Sequence, residues 1–157
     1  MLRISKLTDY ATVILAHLSE DGAGVMTALE VAEHTGIGVP TVSKVLKELQ
    51  RGGLVASTRG AHGGYALARP ATAISAADIL DVVEGPLSLT ECSSHPGQCG
   101  LEASCRVGAS WQRINEAIRR SLRDVTLAQL AGHDTQSVSS PDLAIVLGPR
   151  PGLRPRV

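Results

Sequence analysis

A mainly α-helical fold with one small β-hairpin, arranged as a winged helix-turn-helix plus a long dimerisation helix, is predicted by three features of the sequence. Val42, Val45, Leu46 and Leu49 mark one face of a helix that follows a shorter capped segment and a glycine-bearing turn. Two strand-like runs, 54–57 and 65–68, then flank the glycine-rich tip Thr58-Arg59-Gly60-Ala61-His62-Gly63-Gly64. Farther on, Trp111, Ile114, Ile118, Leu122 and Val125 recur every three or four residues, which is the spacing of a helix–helix seam.

Each element has a local reason. Val13, Ile14, Leu15 and Leu18 have helical spacing and predict a first helix over 8–18. Thr27 and Glu30 form a capping-box signature for a second helix, which Gly36 can end with a positive φ. Pro40 suits the first position of a third helix, and Gly52-Gly53 stops it. Ser75 and Asp78 cap a short fourth helix through Val83, closed by Gly85-Pro86. Residues 86–105 read as irregular, 107–125 as the long helix, and 126–130 as a final turn. The division that follows is 1–85 for the winged helix-turn-helix domain, 86–106 for a cysteine loop and 107–131 for the dimerisation helix. The Ser, Pro and Gly of 132–157 predict a mobile tail.

Composition narrows the function classes. The sequence has no run of 18 apolar residues, and its first residues lack a signal-peptide pattern, so a soluble cytoplasmic protein with no membrane partner is expected. Three cysteines are an odd number, which disfavours a disulfide framework and favours metal or redox chemistry. No nucleophile, base and orienting group can be assembled and no phosphate-binding loop occurs, so an enzyme is not expected. Net charge is zero, yet residues 40–69 hold five basic residues against one acidic. Positive charge thus gathers where DNA phosphates would need it.

In a helix-turn-helix the second helix enters the major groove of double-stranded DNA with its N-terminal side chains on base edges. Thr41, Ser43 and Lys44 occupy that end, pointing away from the apolar stripe. Arg59 and His62 at the hairpin tip suit a neighbouring minor groove or phosphates, with glycines such as Gly63 allowing close backbone approach. DNA readers of this kind commonly work as two-fold pairs, so the Trp111-to-Leu122 seam is expected to make a homodimer.

Cys92, Cys99 and Cys105 are separated by six and five residues in a segment that also carries Pro96, Gly97 and Gly100. Thiolates are soft ligands suited to iron–sulfur clusters and also to zinc. Structural zinc sites normally add a fourth protein ligand and a close cysteine pair, which is missing here. Inert cysteines would sit on apolar helix faces, whereas Ser93, Ser94, His95, Gln98, Glu102 and Ser104 surround these three. An iron–sulfur carrier would explain the cysteines and leave the helix-turn-helix and basic wing without a purpose.

The start Leu2-Arg3-Ile4-Ser5-Lys6-Leu7-Thr8-Asp9-Tyr10, the pair Gly53-Leu54-Val55, the wing Arg59-Gly60-Ala61-His62-Gly63-Gly64-Tyr65 and the three cysteines resemble regulators of the IscR, NsrR and SufR type. The likeness runs from about residue 2 to residue 131 and is greatest to regulators of SUF iron–sulfur assembly operons in proteobacteria. It implies a repressor of iron–sulfur assembly genes holding a 2Fe-2S or 4Fe-4S cluster, with a nitric oxide- or iron-responsive repressor as the alternative. It also implies a fourth ligand. IscR-like members carry a histidine three residues after the last cysteine, where this chain has Gly108; others use a carboxylate of the first helix, the place of Asp9. Asp9 of the other subunit is therefore the expected fourth ligand and His95 the next candidate. Against this stands a plain helix-dipole role for Asp9, worth about 0.3–1 kcal/mol.

Overall fold

The computed structural model describes residues 4–20, 22–90, 100 and 105–133. Helix α1 (Lys6–Leu18) starts two residues before the apolar periodicity, because Ser5 caps it by accepting the Thr8 N–H at 3.3 Å. It buries Ala11, Ile14, Leu15 and Leu18. Helix α2 (Ala28–Thr35) opens on the Thr27/Glu30 capping box and closes at Gly36, whose φ of 70° is left-handed. Helix α3 (Val39–Arg51) has Pro40 as its second residue, where a missing N–H still costs nothing, and buries Val42, Val45, Leu46 and Leu49.

Strands β1 (Val55–Thr58) and β2 (Gly64–Leu67) pair antiparallel, with Val55 opposite Leu67 and Thr58 opposite Gly64. The ladder starts one residue later than the strand-like run suggests. Leu54 is buried and bridges the two elements: its N–H bonds the Leu49 carbonyl at 2.9 Å to close α3, and its carbonyl accepts the Ala68 N–H at 3.0 Å just ahead of the ladder. The tip is therefore 59–63. A feature invisible in the sequence fixes the wing to the body: Met26 and Tyr65 exchange backbone hydrogen bonds of 2.9 and 2.7 Å. A Cβ on Gly64 would stand 2.5 Å from the Met26 carbonyl oxygen, so this approach needs glycine.

A 3₁₀ turn (Ala71–Ala73) leads to α4 (Ala76–Val83), whose Ser75/Asp78 capping box forms as the spacing predicts. Helix α5 (Gly108–Asp124) packs on α4, where Arg119 and Asp81 form an ion pair at 3.0 Å. The expected seam does not continue to Val125, which is extended (φ −92°, ψ 117°). Its carbonyl accepts the Ala76 N–H at 2.8 Å, and Leu127 N–H bonds the Ile74 carbonyl at 2.7 Å. This stitch delivers α6 (Leu127–Leu130) into the core, where Leu127 is fully buried in the same cluster as Ile14, Leu46 and Ile74. Burial of such a side chain is worth about 1.5–3 kcal/mol, so the far end of α5 is firmly held by the DNA-binding body. Among the described residues no helix is long and apolar enough to cross a membrane.

Candidate nucleic-acid interface and cysteine site

The apolar stripe of α3 is fully turned into the core, which leaves its other face outward. Lys44 is exposed and Thr41 and Ser43 are half-buried at the helix's N-terminal end. In the wing, Arg59 and His62 are exposed on a turn closed by the Gly63 N–H to the Gly60 carbonyl at 3.0 Å. A Cβ on Gly63 would lie 2.3 Å from the Thr58 carbonyl oxygen, so the tight tip needs glycine there. No side chain among the described residues pairs with Lys44, Arg59 or His62, and their donors face outward unspent. Sequence reasoning missed one link: Gln50 Nε2 donates to Ser57 Oγ at 2.7 Å and ties the end of α3 to the wing.

Of the expected ligands, Cys92, Cys99 and His95 lie outside the described residues. Cys105 is exposed with a free thiol, three residues ahead of α5. Asp9 is exposed in the first turn of α1, and no side chain among the described residues pairs with its carboxylate. Both donors are therefore uncommitted and chemically suited to iron, one soft and one hard. Gly108 opens α5, and a Cβ built on it would stand 3.6 Å from Cys105 Sγ, an ordinary contact.

Two further side chains bind the strand of chain that enters the cysteine segment. Glu84, the C-cap of α4, accepts through Oε1 from the Ser5 N–H at 3.0 Å and from the Thr8 hydroxyl at 2.5 Å. Hydrogen bonds from Ser5 and Thr8 hold its carboxyl below the ordinary glutamate value of 4.5. Asn115 of α5 is buried, and its Oδ1 accepts the Leu89 N–H at 3.2 Å. The sequence offered a signal for Glu84: an acid at a helix C-terminus opposes the macrodipole, which calls for a compensating partner.

The seam on α5 divides. Trp111 and Ile114 are 43% and 45% exposed, whereas Ile118 and Leu122 are half-buried in their own chain. A family model described as an iron-dependent transcriptional regulator, Rrf2, matches residues 4–133. The chain belongs to the Rrf2 family. Rrf2 membership makes it a transcriptional regulator and not an enzyme. Protein aau3 of Rhizobium meliloti (strain 1021) is 29% identical over 156 residues, covering 99% of this chain and 97% of its own. CymR of B. subtilis, described as the global cysteine regulator, superposes with a TM-score of 0.65 at 31% identity, over 85% of this chain and 99% of CymR. T. potens IscR gives 0.62 at 27%, over 87% and 93%. The mainly helical winged-helix fold expected from the sequence is thus the fold of this family.

Proposed function

We propose that this Rrf2 regulator represses iron–sulfur assembly genes as a homodimer on a double-stranded operator, with a cluster held by Cys92, Cys99 and Cys105 of one subunit and Asp9 of the other as its sensor. The observation that carries the proposal is the placement of Cys105. Its free thiol stands three residues before α5, and the other end of α5 is stitched into the core that carries α3 and the wing. Order at the cysteine segment therefore reaches the recognition helices through one rigid element. A bound cluster supplies a thiolate-held iron centre whose loss or damage reports iron, oxygen or nitric oxide. The chain's own part is to hold that centre and convert its presence into helix position.

On the DNA side, Thr41, Ser43 and Lys44 read base edges while Arg59, His62 and Gly63 approach the backbone or minor groove. Two such units must span half-sites about 34 Å apart, so a small rotation of α5 costs contacts at both. The carboxylate of Asp9 is a harder and more weakly held ligand for iron than thiolate, which suits a sensor whose centre must be released. The iron-dependent description of the family favours, as a second reading, a repressor of the same build that answers to iron supply.

The interface is tested with Arg59→Ala and a duplex selected by the wild-type protein from a random pool. Affinity should fall with dimer and cluster intact, and the salt dependence of binding should lose a slope of about 1 if Arg59 holds a phosphate. A selective relaxation of sequence preference would instead mark a base contact. Unchanged affinity and preference remove Arg59 from the interface.

A further inference from the structure

We propose that Glu84 is a positioning residue for the fourth ligand: it fixes the Asp9 turn of α1, which would serve the partner subunit's cysteines, on the stretch 84–89 of its own chain. The proposal presupposes Asp9 as the ligand put forward above and adds what holds it in place. Ser5 and Thr8 are the N-cap and third residue of α1, and Asp9 is the next residue. Glu84 Oε1 takes a hydrogen bond from each of the first two, across 79 and 76 residues of sequence. Thr8 is only 3% exposed, so its hydroxyl is directed at Glu84 from inside the fold, and Ser5 Oγ also caps the Thr8 N–H. The Asp9 N–H bonds the Ser5 carbonyl at 3.2 Å, so the residue that Glu84 grips also fixes the backbone of Asp9.

Glu84 is followed by Gly85, whose φ of 85° turns the chain out of α4, and five residues on the Leu89 N–H is bound by the buried Asn115 of α5. The stretch 84–89 is therefore pinned at one end to the α1 turn and at the other to α5. A carboxylate at the C-cap of α4 is repelled by the carbonyl end of its own helix and attracted by the N–H end of α1. Its placement makes little sense for α4 alone and good sense as a joint between α1 and the root of the cysteine segment. A ligand on an exposed first turn needs such an outer partner, since turn ends fray.

The test compares anaerobically reconstituted full-length wild type, Glu84→Ala, Glu84→Gln, Asp9→Ala and the double variant Glu84→Ala/Asp9→Ala. It follows the lifetime of the visible cluster absorption under an iron chelator. Hydrogen exchange at the Thr8 and Asp9 amides is followed in the cluster-free proteins. Glu84→Ala should shorten the lifetime roughly tenfold, the low end for loss of an outer-shell partner, and should speed exchange at those amides. Glu84→Gln keeps the accepting oxygen and should recover most of both. The double variant should decay no faster than Asp9→Ala, because Glu84 acts through Asp9. If Asp9→Ala shortens the lifetime and Glu84→Ala does not, Glu84 is only a helix cap and the proposal is wrong. If the double variant decays faster than Asp9→Ala, Glu84 acts independently, and the proposal again fails. A wild type that takes up no cluster, or an Asp9→Ala protein with an unchanged lifetime, overturns the ligand assignment itself and with it the role of Glu84.

Discussion

Asp9→Ala, reconstituted anaerobically, should lose its cluster under chelator at least about tenfold faster than wild type, and Gly108→His in the same chain should restore the lifetime. The first part follows from removing the proposed ligand, whose carboxylate has no side-chain partner among the described residues at the start of α1. The second uses the geometry around Cys105. The position of Gly108 is where IscR-like regulators carry a histidine, and a Cβ there meets Cys105 Sγ at 3.6 Å, with nothing closer among the described residues. A Cβ at that position is therefore accommodated in ordinary contact with Cys105 Sγ, which makes Gly108 a suitable place to introduce a histidine. Gly108 has no left-handed φ to protect, and replacing glycine in a helix also removes an entropic cost. Cluster lifetime in wild type, Asp9→Ala and Asp9→Ala/Gly108→His is the measurement. If Asp9 merely complements the helix dipole, Asp9→Ala shifts stability by about 0.3–1 kcal/mol and leaves the lifetime alone. In that case His95→Ala should be the variant that changes the cluster.

Ile114→Asp should convert the protein to a monomer that retains its helical content and binds its selected duplex about a thousandfold more weakly. Ile114 and Trp111 stand nearly half exposed on the first half of α5, one turn apart, and a charge there costs little in the isolated chain. In a two-fold seam the same aspartate would face its own copy in an apolar setting, with desolvation and like-charge repulsion acting together. A monomer reads one half-site, and the loss falls at the low end of the gap between specific and non-specific binding. Sedimentation and fluorescence anisotropy decide the outcome. Ile118→Asp is the less informative change, because Ile118 is half-buried in its own chain and its replacement would also weaken the fold. A dimeric Ile114→Asp protein with unchanged operator affinity would move the subunit interface elsewhere.

Much of the fold was legible because its signals are local. Capping pairs at Thr27/Glu30 and Ser75/Asp78 carry their cause within four residues, and the α3 stripe within the eight from Val42 to Leu49. What the sequence concealed depends on contacts between distant segments. The Met26–Tyr65 bridge that docks the wing and the backbone bonds that return Leu127 to the core have no side-chain signature, whereas the departure of Val125 from the seam has a local one, the Thr126/Gln129 capping box that opens α6. The same holds at the candidate site. Cys105, Asp9 and Arg59 announce themselves by residue type and motif, while Glu84, through two hydrogen bonds, and Asn115, through one, act on backbone or hydroxyl groups brought close only by folding.

The central claim, that cluster occupancy at the cysteines sets operator binding through α5, is tested most directly by one paired titration. Full-length protein, anaerobically reconstituted and cluster-free, is titrated against the same duplex at the same salt, with the visible absorption recorded for each sample. The account predicts thiolate-to-iron bands in the reconstituted protein and operator affinities that differ between the two states within the range of about 5- to 150-fold usual for coupled sites. Loss of the bands on adding nitric oxide or chelator should return the affinity to the cluster-free value. A reconstituted protein without those bands, or one whose affinity matches the cluster-free form, would contradict it.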